Sequence, residues 1–172
     1  MINIFGMLDE GVTPNTSVAP LDPPAAAGAG TQAKLIARHY NLQHLDTGRI
    51  YRIIGKLKLD NPKKFNYSFI KKKIKSLRIK DLQNKNLLSD KVATSASIIA
   101  KDKKIRSIVH QFQQICAYSP PMKYAGSILD GRDIITVQLK NAMFKFFITA
   151  NLKTRAKRRY KEYKSLKKRI SY

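Results

Sequence analysis

The segment Pro23-Pro24-Ala25-Ala26-Ala27-Gly28-Ala29-Gly30-Thr31 constrains this chain more than any other. Its residues carry little side chain, and it lies between an apolar run at Val18 to Leu21 and a helical period. In that period Ala33, Ile36, Ala37 and Tyr40 recur at i, i+3, i+4 and i+7, one face of a helix predicted from Thr31 to Tyr40. A buried strand, a small-residue turn and a helix form the opening unit of a parallel α/β sheet. Free N–H groups at such a helix start favour an anion. Pro20 lies inside the predicted strand, where it removes a ladder donor.

The rest of the chain alternates in the same way. Residues Met1 to Asn15 show no period and contain Gly6, Gly11 and Pro14, which reads as a flexible leader before a single domain over 16–172. Leu42 to Leu45 is a second strand, followed by a short helix carrying Tyr51 and Arg52. A lysine-rich insertion spans 56–88, with Ile70, Ile74 and Leu77 at helical spacing. Ser89 or Asp90 caps a helix through Ala93, Ala96 and Ile99, and a further helix turns Ile105, Ile108, Val109, Phe112 and Ile115 toward the core until Pro120 and Pro121. Ser127 to Leu129 and Met143 to Ile148 are two more strands, the latter an exposed sheet edge. A basic helix from Leu152 to about Lys168 closes the sequence.

The 172 residues suffice for one sizeable core. A net charge of +23 attracts anions of every kind, from nucleotides to RNA, without choosing among them. The single Cys116 excludes an internal disulfide and is read as packing, and no run is long or apolar enough for a membrane span. A cytoplasmic monomer is the expectation. His39, His44 and His110 are scattered, without carboxylates or cysteines at ligand spacing, which argues against a metal site or a histidine nucleophile.

The opening turn has the length and ending of the phosphate-binding pattern G-x-x-x-x-G-K-[ST], in which backbone N–H groups wrap phosphates, the lysine reaches the β/γ oxygens and the hydroxyl holds magnesium. Pro23 stands at the first glycine and Ala29 at the lysine. Two further blocks follow, Leu45-Asp46-Thr47-Gly48-Arg49-Ile50-Tyr51-Arg52 and Leu129-Asp130-Gly131-Arg132-Asp133. Together the three blocks resemble the bacterial cytidylate kinases, over about Val18 to Lys164. That resemblance implies a three-layer P-loop kinase fold with a parallel sheet and a helical monophosphate-binding insertion. It also implies transfer of the ATP γ-phosphoryl group to CMP or dCMP, with Mg2+. Relatives continue through an arginine-bearing lid, a strand and a closing helix, so the basic stretch 151–172 reads as leading into an incomplete lid and C-terminus.

Residue by residue, the resemblance implies that Thr47, Arg52, Ser97, Arg106, Arg132 and Asp133 bind CMP. Arg52 and Arg106 would grip its phosphate, a task suited to the guanidinium fork. Pro24, Ala25, Ala26, Ala27, Gly28, Ala29, Gly30 and Thr31 would cradle ATP. Thr31 and Asp130 would organise magnesium, the latter through water, and Asp130, Arg132, Arg155 and Arg159 would serve the transfer. Three departures predict impaired activity. Ala29 removes a preorganised cation, a loss of roughly a hundredfold or more. Pro23 has no N–H and cannot take a positive φ, and Ile135 replaces a glycine. Two alternatives stand beside this reading: an inactive truncated kinase, and a non-catalytic basic module that binds RNA non-specifically through Lys63 to Lys75 and Lys153 to Arg169, with Tyr160, Tyr163 and Tyr172 available for stacking.

Overall fold

The computed structural model describes residues 2–6 (backbone), 26–131, 134 and 139–165. Four strands form one sheet in the order β2-β3-β1-β4, from β1 (Ile2–Gly6), β2 (Leu42–Asp46), β3 (Gly126–Asp130) and β4 (Phe144–Phe146). All three pairings are parallel, which requires crossover connections and covers both faces with helices.

The leader reading is corrected over residues 2–6. Ile2–Gly6 is β1 and pairs on both sides, Ile4 lying opposite Ile128 on β3 and opposite Phe144 on β4. Its Ile-Asn-Ile-Phe run is a short β-forming sequence that leads into Gly6, the last residue of the strand. Val18 to Leu21, Pro23, Pro24 and Ala25 lie outside the described residues.

Successive residues of a strand point to opposite faces, and this divides the core in two. On one face Leu42 and Ile128 pack with Ala33 and Ala37 of α1 (Ala29–His39). On the other, Leu45 and Leu129 join Ile50 and Ile54 of α2 (Thr47–Asp60) and Val109, Cys116 and Ala117 of α5 (Lys103–Tyr118). The result is helix, sheet, helix, the three-layer arrangement expected. The helix expected to be short after β2 is a full 14 residues. Beyond it, α3 (Tyr67–Lys75) and three short 3-10 turns, Pro62–Lys64, Ile79–Gln83 and Lys85–Leu88, occupy the lysine-rich region, and Ile70, Ile74, Leu82 and Leu87 are buried there.

Side-chain oxygens set the helix starts. Asn66 accepts from Phe69 N–H at α3, Ser89 from Val92 N–H at α4 (Asp90–Ile99), and Asp102 from Lys104 and Ile105 N–H at α5. Each such cap contributes about 1 kcal/mol. Two apolar assignments fail. Ile115 is 63% exposed, because the buried stripe of α5 runs through Ile105, Val109, Gln113, Cys116 and Ala117 and leaves it on the outer side. Tyr40 is 51% exposed, since α1 ends one residue before it.

Candidate phosphate-binding site

The site forms where the strands end. Asp46 and Asp130 close β2 and β3 and stand opposite each other in register. Asp46 serves structure: it caps α2 by accepting from Arg49 N–H at 3.2 Å and pairs with Arg49 Nε at 3.0 Å. Arg49 then donates through Nη1 to the Leu82 carbonyl at 2.8 Å, tying α2 to the turn over Ile79–Gln83. Arg52 does the same one turn on, its Nη1 donating to Leu87 O at 2.8 Å.

Thr47, the first residue of α2, is buried and donates from Oγ1 to the Asp130 carbonyl at 2.7 Å. This bond fastens the second sequence block to the third. Gly131 is obligatory beside it, because a Cβ there would fall 2.1 Å from Thr47 Oγ1.

The carboxylate of Asp130 reaches the opening turn of α1. A Cβ on Gly30 would lie 2.9 Å from Asp130 Oδ2, so only glycine admits this approach without displacement. On the other side His44 Nε2 lies 3.2 Å from the same oxygen. An ionised carboxylate only accepts, so the contact calls for the tautomer with hydrogen on Nε2. The spacing of His44 in the sequence, with no carboxylate at ligand distance along the chain, gave no sign of this partner. Parallel register brings together residues 86 apart in sequence. The usable signal was that His44 and Asp46 share a strand face.

The α1 N-terminus follows from a left-handed residue. Gly28 has φ 106°, Ala26 before it has φ 62°, and the Gly28 carbonyl accepts from both Thr31 and Gln32 N–H at 3.0 Å. Among the described residues no side chain caps the helix, and free N–H groups at its positive end favour an anion. Ala27 is buried, Ala29 and Gly30 are half-buried, and Thr31 is exposed. The final helix, α6 (Leu152–Ser165), meets this loop through Arg158, whose Nη1 donates to Ala27 O at 2.5 Å and lies 3.4 Å from Ala26 O.

The structure therefore brings the loop, Thr47, Asp130, His44 and Arg158 together. The other candidates make contacts of their own. Ser97 is exposed on α4 and donates to Thr94 O at 2.8 Å. Arg106 donates to Ala100 O at 3.4 Å and lines a groove of about 360 Å³ on α5 with Lys103, Ser107, His110, Gln111 and Gln114. On α6, Arg159 pairs with Glu162 at 3.0 Å and the Arg155 N–H donates to Asn151 O. Arg132, Asp133 and Ile135 lie outside the described residues. Among the residues brought together, the sequence reading missed His44 and Arg158. Arg158 carried no signal that set it apart from its basic neighbours.

A parallel sheet covered on both faces, with a glycine-led helix start beside an acidic strand end, is the α/β architecture of the P-loop kinases. Comparison with known proteins sharpens this. The family profile described as cytidylate kinase matches residues 19–172, and the chain belongs to that family. The cytidylate kinase of Bartonella tribocorum is 42% identical over 152 residues, covering 84% of this chain and 66% of that protein. That of Rhodopseudomonas palustris (strain TIE-1) is 36% identical over 149 residues, covering 86% and 68%. That of Bartonella quintana is 41% identical over 150 residues, covering 84% and 66%. The chain thus spans about two thirds of the length of these curated relatives. Strand β1 precedes the matched residues.

Proposed function

We propose that this chain binds CMP or dCMP and ATP with Mg2+ and transfers the γ-phosphoryl group to the monophosphate, more slowly than an enzyme with an intact loop. The observation that carries this reading is the convergence of the three sequence blocks: Thr47 holds the Asp130 backbone while the Asp130 side chain faces the first turn of α1. Phosphoryl transfer requires mainly positioning and neutralisation of charge, and both depend on such convergence.

The residues present suit the implied groups. A helix N-terminus with free N–H groups favours polyphosphate oxygens, and the Thr31 hydroxyl, one residue after the Gly30 that the Asp130 carboxylate faces, would join that carboxylate as the hard oxygen donors that Mg2+ takes. When bound, the ion would neutralise charge on the phosphates. Thr47 would sit beside the pyrimidine. Arg52 and Arg106 would take the acceptor phosphate, and Arg132 and Asp133 the base edge and sugar. Arg155 and Arg159 would approach ATP from α6. Ala29 accounts for the slowed transfer, because the cation that follows the moving charge is absent from its usual place.

Calorimetric titration with CMP, UMP and ATP·Mg2+ in moderate salt, with a turnover assay, tests the proposal. Selective CMP binding with slow turnover supports it. Turnover at a rate typical of kinases removes the impairment, and equal, salt-sensitive binding of all three nucleotides leaves only a basic polyanion-binding surface.

A further inference from the structure

We infer that Arg158 supplies the phosphate-facing cation that Ala29 withholds, so that the loop's positive charge comes from α6 rather than from the loop itself. The inference rests on the nucleotide-binding reading above. It starts from a vacancy in the sequence: between Gly28 and Gly30 the loop offers only a methyl group. Arg158 fills the neighbourhood. Its Nη1 donates to Ala27 O at 2.5 Å and lies 3.4 Å from Ala26 O, contacts that span 131 and 132 residues of sequence. A Cβ on Gly28 would lie 3.2 Å from the same nitrogen, so the guanidinium rests against the residue preceding Ala29.

The chemistry fits the place. A guanidinium stays protonated at any working pH and offers donors in a planar fork, so it can hold loop carbonyls while presenting charge and hydrogen bonds to phosphate oxygens. A lysine ammonium would deliver a point charge instead. Its neighbour Arg159 is differently engaged, pairing with Glu162 on the same helix. A cation carried on a separate helix also makes binding of the polyphosphate depend on the docking of α6, whereas a loop lysine is present from the start.

The test separates charge supply from mere tethering. MgATP affinity is measured by calorimetry without CMP, and CMP affinity separately, for the wild-type chain, Arg158→Met, Arg158→Lys, Ala29→Lys and the double variant Ala29→Lys/Arg158→Met. Arg158→Met should weaken MgATP by about tenfold or more, the loss of a charge-assisted contact, while CMP affinity stays within about twofold. Arg158→Lys should retain part of the affinity. Placing lysine in the loop should rescue the Met variant to within about threefold of wild type. The inference is overturned if Arg158→Met leaves MgATP affinity unchanged, if CMP affinity falls in parallel, if the loop lysine gives no rescue, or if the wild-type chain binds no MgATP. Arg158-dependent MgATP binding without CMP selectivity or turnover would uphold Arg158 and refute the kinase reading instead.

Discussion

At the scale of single residues, Thr47 and Gly131 form the tightest constraint in the site. A methyl group on Gly131 would meet Thr47 Oγ1 at 2.1 Å and Ile134 Cγ1 at 2.9 Å, and the Thr47 hydroxyl is already committed to Asp130 O. Gly131→Ala should therefore destabilise the fold by about 2–4 kcal/mol, combining overpacking with a broken, partly buried hydrogen bond. Denaturant titration of Thr47→Ala, Gly131→Ala and the double variant checks the cause. If the hydroxyl is the obstacle, the Gly131 substitution costs less once Thr47 is alanine, and simple additivity refutes the account. Cys116 offers a second residue-scale outcome. Burial pushes its thiol up to about 11. A raised folded-state value means the neutral form is favoured, so this contribution to stability is intact below the unfolded thiol's ordinary value and is lost as pH rises through about 11. Iodoacetamide at neutral pH should label Cys116 roughly a hundredfold or more slowly than an unfolded thiol, and equal rates would contradict the burial.

At the scale of elements, the crossing of α2 and α4 sets two effects against each other. A Cβ on Gly55 would lie 2.8 Å from Ala96 N and 3.1 Å from Val92 O, and Ser95 Oγ donates to Gly55 O at 3.1 Å. Alanine gains about 1 kcal/mol of helix propensity over glycine, whereas forcing two backbones apart costs about 1–3 kcal/mol. Packing should win, and Gly55→Ala should lower the melting temperature; a rise would show that the helices can separate freely. The same elements show what was legible. Helices α4 and α5 were readable because caps and apolar spacing are local signals, and β2 and β3 because short buried strands precede Asp46 and Asp130. The place of β1 was not, because a five-residue strand acquires its meaning only from Ile128 and Phe144 on either side. Nor were His44 beside Asp130 or Arg158 beside Ala27, since both contacts depend on how distant elements dock.

At the scale of the whole molecule, the net charge of +23 acts against the fold that the core supports. Lysines on α3 and basic residues along α6 are largely exposed, and surface pairs such as Lys56–Asp60 and Arg159–Glu162 contribute at most about 1 kcal/mol each. Like charges confined to one compact body repel, and the unfolded chain relieves that repulsion by expanding. Salt should therefore stabilise this protein. Raising sodium chloride from about 0.1 to about 1 M shortens the screening length from about 10 to about 3 Å and should raise the melting temperature by several degrees. Pyrophosphate, compared with chloride at equal ionic strength, isolates any contribution of the α1 N-terminus. Screening is then the same, so an additional rise measures occupancy of a discrete anion site through mass action. An extra shift that disappears in Arg158→Met would tie the site to the loop. Identical curves for the two anions would mean that the open helix end and the guanidinium add nothing to the general field of the protein.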